Sequence, residues 1–108
     1  MTCSVPLNFR HKGKLYRLAP DARFVCAVED ELGALPLLAR RFGRGEWRVS
    51  EVMTLMQMFL QQCGETVDFF TLGDVILHDG LDAPLSVIGR FLSAFASADN
   101  DARQGQSA

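Results

Sequence analysis

The chain of 108 residues reads as an α+β domain, with an N-terminal β-hairpin followed by about five short helices packed in one layer against it. Three observations predict this. Apolar residues alternate at period two on either side of His11-Lys12-Gly13-Lys14, as in two half-buried strands joined by a tight turn. Between residues 50 and 64, Val52, Leu55, Met56, Phe59, Leu60 and Cys63 recur at helical spacing and gather into one broad apolar stripe. Gly33, Gly64 and Gly80 each follow a segment of helical periodicity, where a glycine can end a helix in a backbone conformation that costs other residues more.

The hairpin is expected over residues 5–18. Val5, Leu7 and Phe9 share one face, and Tyr16 and Leu18 continue it on the returning strand. Gly13 can supply the positive φ of a tight turn. Pro6 has no N–H, which places it near a strand start or on an edge. A lone hairpin is marginal in water, so its apolar face must rest on helices. Ala19-Pro20 stops the strand, and Asp21 caps a helix running to about residue 32, with Phe24, Val25, Val28 and Leu32 inward. Glu29, Asp30 and Glu31 follow one another, so they cannot all point the same way, and one or two flank the core edge. Pro36 suits the first turn of the next helix, whose stripe is Leu35, Leu38 and Phe42, with Arg40 and Arg41 facing out.

Residues 43–49 form a loop or a short extended piece leading into the core helix of residues 50–64. Ser50 is its expected cap, and Glu51 in the first turn suits the positive end of the helix dipole. A helix over residues 68–79 turns Phe69, Leu72, Val75 and Ile76 inward. The last helix begins at Asp82, as cap, with Pro84 near its first turn, and is lined by Leu85, Ile88, Phe91, Leu92 and Phe95. Residues 1–98 form a single domain on this reading. Residues 99–108 hold no large apolar side chain and are expected to be an unstructured tail.

The net charge of −2 argues against general nucleic-acid binding, but the charge is unevenly spread. Residues 1–48 hold nine Lys/Arg and five Asp/Glu, a balance of +4, and residues 49–108 hold two and eight, a balance of −6. Such a split fits solvated helix faces of one sign, or a surface that meets a charged partner. It also permits head-to-tail association into a homo-oligomer. Cys3, Cys26 and Cys63 are odd in number and widely spaced. Cys26 and Cys63 are expected on apolar faces, as in a reducing, cytoplasmic setting without disulfides. No signal peptide or membrane span is expected.

Catalytic chemistry finds little footing. Cys3, His11, Cys26, Cys63 and His78 include no pair at metal-ligand spacing, so no metal or other cofactor is expected. Asp74 and His78 are four apart on a helix and can touch, yet such a pair on a surface is ordinarily a weak ion pair. No nucleophile elbow or glycine-rich phosphate loop is present. The most distinctive stretch is residues 40–48, RRFGRGEWR, with four arginines around Phe42 and Trp47. Three readings fit it. The aromatics plug the core while the arginines are solvated; the group is a protein-interface hot spot; or it grips phosphates and stacks bases. Met53 and Met58 lie off the centre of the core stripe, where methionine serves either packing or an adaptable binding surface.

The order of these pieces resembles a known family. A hairpin carrying Gly13, Tyr16 and Leu18 leads into a helix with Phe24, Glu29 and a terminal Gly33. Then come Leu35, Leu38, Arg41 and Phe42 in a second helix, Trp47-Arg48-Val49, the amphipathic core helix and a final helix pair. Over about residues 5–97 this is similar to the tail assembly chaperone family of gene transfer agents and related long-tailed phages, also catalogued as a tail tube family. Lys12 stands where an acidic residue before the turn glycine is more usual. The resemblance implies a non-enzymatic helper of phage-like tail and virion morphogenesis. Such a helper binds the tape measure protein before the tail tube polymerises, acts in the cytoplasm of the producing cell and is absent from the finished particle. In many relatives a frameshifted longer form is also made. The resemblance brings no catalytic residue. Clustering before and on the core helix points to Arg41, Phe42, Arg44, Trp47 and Met53 as the protein-binding residues. The alternatives are a structural tail component retained in the particle and a small nucleic-acid-binding regulator using residues 40–48. No membrane partner is expected.

Overall fold

A computed structural model describes the backbone of residues 7–107 and the side chains of residues 7–95; Cys3, Val5 and Pro6 lie outside the described residues. An antiparallel hairpin of β1 (Leu7–His11) and β2 (Lys14–Leu18) is followed by α1 (Ala22–Leu32), α2 (Leu35–Gly43), α3 (Val49–Gln62), α4 (Phe69–Asp79) and α5 (Asp82–Ser107). The α+β architecture expected from the sequence is therefore present. His11 pairs with Lys14 across a two-residue turn. Lys12 and Gly13 both take positive φ, 52° and 77°, the combination by which a type I′ turn matches the twist of its strands. Lysine at the first turn position therefore leaves the hairpin intact.

Helix α3 is the hub. It packs against β2, α1, α4 and α5, while α2 packs against α1 and α5. Its stripe of Val52, Leu55, Met56, Phe59 and Leu60 is buried. Phe59 is fully buried and meets three aromatic rings from three elements: Phe9 of β1 at 6.2 Å, Phe24 of α1 at 5.9 Å and Phe91 of α5 at 5.4 Å. The hairpin thereby rests on helices, as its marginal stability alone requires. Arg90 adds a donated hydrogen bond to the Asn8 carbonyl at 2.9 Å, tying α5 to β1. One cluster of buried residues draws on both strands and all five helices.

Helix ends follow local chemistry with two exceptions. The Asp21 carboxylate accepts from the Phe24 N–H at 2.8 Å, and that of Asp68 accepts from the Thr71 N–H at 3.0 Å. The Glu29 carboxylate accepts from the Leu35 N–H at 2.9 Å, so the acid nearest the core edge caps the following helix. Gly64 closes α3 at φ 87°, with the Glu65 N–H on the Leu60 carbonyl and the Gly64 N–H on that of Gln61. Such bonds engage carbonyls that the end of a helix leaves short of partners, and the Leu60 carbonyl also accepts from the Cys63 N–H at 3.0 Å. The first exception is Ser50, expected as the cap of α3. The helix begins at Val49, Arg48 takes the cap position, and Ser50 lies inside the first turn with its carbonyl accepting from the Thr54 hydroxyl. The second is Asp82, which is the first residue of α5 while the Leu81 carbonyl receives the first helical bond from the Leu85 N–H.

Three further expectations are corrected. Cys26 is exposed, because it sits two residues from Phe24 and so on the opposite side of α1. Cys63, by contrast, packs half-buried against the core as expected; its thiol meets the Arg17 carbonyl at 3.5 Å and burial pushes its pKa up. His78 contacts Asp79 at 3.1 Å, not Asp74, with both side chains largely exposed. Helix α5 is long, at 26 residues, and carries residues 99–107 as a polar extension where an unstructured tail was expected. Once a helix is nucleated, each added residue gains a bond without a new nucleation cost.

Candidate functional site

The distinctive residues 40–48 begin on the last turns of α2 and continue through a tight loop to α3. The loop is held from both sides. The Arg41 carbonyl accepts from the Glu46 N–H at 2.8 Å and the Phe42 carbonyl from the Gly45 N–H at 3.1 Å, with Gly45 at φ 74°. The Arg41 guanidinium donates to the Glu46 carbonyl at 3.0 Å and forks onto Glu51 of α3 at 3.2 and 2.6 Å. Glu51 Oε1, which takes the longer of these two bonds, also accepts from the Arg48 N–H at 3.0 Å. Glu51 is therefore both the reciprocal cap of α3 and the anchor of the loop. The Arg41 hydrogen bonds, aided by the Arg48 N–H, hold its carboxyl below the usual glutamate range, and the same contact raises the Arg41 pKa. Arg41, expected to face out, is instead a structural clamp, because a guanidinium fork matches a carboxylate edge to edge. Arg40 is half-buried as well.

This clamp presents Trp47. Trp47 and Phe42 are half-buried against the core and line a groove between α2 and α5. Ala39 and Gly43 complete the α2 side, and Leu85, Gly89, Leu92 and Ser93 form the α5 side of a cavity of about 370 Å³. A Cβ placed on Gly43 or Gly89 would meet nothing within 4 Å. The groove is open at both glycines because neither carries a side chain to fill it. Arg44 and Arg48, each next in the chain to a lining residue, Gly43 and Trp47, are exposed.

Of the five residues expected to bind a partner, Phe42 and Trp47 share this groove, and Arg44 is exposed next in the chain to its lining residue Gly43. Arg41 supports them from behind. Met53 belongs elsewhere: a Cβ on Gly73 would fall directly onto Met53 Cε and 3.0 Å from its Sδ. Met53 fills the seam where α3 and α4 close, over a glycine that leaves room for it. This has a measurable consequence. In a Met53→Ala background, Gly73→Ala should stabilise the protein by about 1 kcal/mol, the helix-propensity difference between the two residues. In the wild-type background the displaced thioether should cancel most of that gain. Urea unfolding of the four chains reads the coupling, and additive changes would show that the methionine does not occupy that space.

The α5 side of the groove has no functional signature in the sequence. In sequence Leu85 and Leu92 are simply core positions of an amphipathic helix and Gly89 carries no signal, since nothing in the local pattern shows that α2 will lie across it. A second hollow of about 280 Å³ lies between the hairpin and α5, bordered by Arg10, His11, Lys12, Asp79 and Arg90. Among the described residues no helix is long and apolar enough to cross a membrane. No protein-family model, curated protein or solved structure matches the chain.

Proposed function

We propose that the protein is a non-enzymatic helper of phage-like tail morphogenesis, acting in the cytoplasm of the producing cell, whose α2–α5 groove holds a segment of the tape measure protein before the tail tube polymerises. The observation that carries this reading is the groove itself. It offers an apolar floor with two aromatic walls, Phe42 and Trp47, and the exposed Arg44 and Arg48 adjoin its lining residues in the chain. An amphipathic helix docks into such a surface by placing apolar side chains one and two turns apart. Buried aromatics with arginine beside them are the usual carriers of interface energy. The engagement of Arg41 by Glu51 leaves fewer cations for phosphate, which favours a protein partner over nucleic acid.

Pull-down of the cognate tape measure protein after co-expression tests this. Gly89→Leu should fill the groove without disturbing the fold, since space is open there. It and Trp47→Ala should each reduce retention at least about thirtyfold, the scale of a lost hot spot. Undiminished retention by both variants would overturn the groove as the binding site. Purified particles lacking the chain are expected for a helper, whereas its presence would indicate a structural tail component.

A further inference from the structure

The face of α4 turned away from the core carries two large apolar side chains in water. Phe70 is 73% exposed and Leu77 is 61% exposed. They are seven residues apart, with Asp74 between them on the same face and also exposed. Two apolar residues two turns apart around an acid are what an apolar groove edged by arginines would accept. The α2–α5 groove is such a surface, and residues 34–48 that border it contain four arginines and the single acid Glu46. Within one chain α4 packs chiefly on α3, while the groove belongs to the α2–α5 seam.

We infer that α4 of one copy docks into the α2–α5 groove of a second copy. Phe70 and Leu77 enter the cavity beside Phe42 and Trp47, and Asp74 faces Arg44 and Arg48. The charge split between the two halves of the chain has the sign this requires, +4 over residues 1–48 and −6 over residues 49–108. The contact joins two different surfaces, so it is heterologous. Each added copy leaves one α4 face and one groove open, and growth continues to a ring or an open helical array. Pairing of two α4 faces is disfavoured, because it sets Asp74 and the flanking Asp68 and Asp79 against their own copies. The inference concerns the chain alone and stands whether or not the outside partner is a tape measure. If both proposals hold, self-association shields the groove until the partner displaces α4.

Sedimentation velocity of the full chain over a range of concentrations tests it. Mass should rise past that of a dimer with concentration, and association should weaken as salt is raised. Phe70→Ser with Leu77→Ser changes only exposed positions, and Gly89→Leu enters open space, so both variants keep the fold. Each should lower the association constant at least about thirtyfold. Mixed one to one, they should form a complex that stops at two copies, because the intact groove of one accepts the intact α4 face of the other. A wild-type chain that stays monomeric, variants that assemble as the wild type does, or a mixture that remains monomeric would each overturn the proposal. Loss of tape measure binding alone would leave it untouched.

Discussion

Phe59→Ala should cost about 4 kcal/mol of folding stability, the largest effect expected from any single side chain in this protein. The side chain is fully buried and is the one ring that touches β1, α1 and α5 at once, through Phe9, Phe24 and Phe91. Removing it forfeits the transfer energy of a phenyl group and leaves a void lined by three other rings. Those rings are fixed to different elements and cannot collapse inward together. Buried Phe→Ala changes cost about 3–5 kcal/mol for this reason. Aromatic pairs add about 0.5–1.5 kcal/mol each beyond burial. Against a total stability of about 5–15 kcal/mol, such a loss brings the domain close to unfolding at 37 °C. The midpoint of urea unfolding should fall steeply with little change in slope. Phe59→Leu, which keeps most of the volume, should cost about 1 kcal/mol. Phe70→Ala, the same substitution at a ring in water, should stay within about 0.5 kcal/mol of the wild type. A loss under 1 kcal/mol at Phe59 would show that the three elements do not depend on it for their mutual packing.

The contrast between Phe59 and Phe70 also shows what the sequence makes legible. Phe59 belongs to a stripe repeated over about three turns, and a repeat of that length outvotes any single residue. The hairpin was equally clear, because alternation and a two-residue turn are local facts. The exposure of Cys26 is legible in the sequence too, since its angular distance from Phe24 around α1 puts it outside. The start of α3 is a different case. Ser50 has the better intrinsic preference for a cap, and the chain nevertheless caps at Arg48. The deciding group is Glu51, which reaches back to the Arg48 N–H while Arg41 grips it from α2. That grip spans ten residues and a reversal of the chain, so no window of local preference contains it. The groove is illegible for the same reason on a larger scale. Phe42 and Trp47 stand out as aromatics among arginines, but Leu85, Gly89 and Leu92 join them only after α5 folds across α2. Met53 was drawn toward the site by its sequence distance from Trp47 and belongs to the α4 seam because Gly73 makes room for it there.

The Arg41–Glu51 pair supports the second large effect, and this one depends on pH. Glu51→Gln keeps the shape of the side chain and removes its charge. At neutral pH it should cost about 2 kcal/mol, as expected when a charge-assisted pair with one largely buried partner is unmade. The cost stays near this value rather than higher because the Arg41 side chain is 37% exposed and can be rehydrated, whereas that of Glu51 is only 13% exposed. The carboxyl of Glu51 is held below the ordinary glutamate value of 4.5, first by its hydrogen bonds from Arg41. A folded pKa below the unfolded one contributes stability that is complete above 4.5 and lost as pH falls through the lowered folded value. The wild type and Glu51→Gln should therefore differ at neutral pH and converge in acid, which urea unfolding at a series of pH values would show. A difference that does not change with pH would mean that the charge of Glu51 contributes nothing and that only its shape matters. Trp47 provides a second readout, being the only tryptophan in the chain and lying in the loop that Arg41 and Glu51 hold. Its emission should move to longer wavelength as the wild type is acidified, ahead of global unfolding, and should already be shifted in Glu51→Gln at neutral pH. The groove would then owe the position of its main aromatic wall to a carboxylate that never touches what the groove binds.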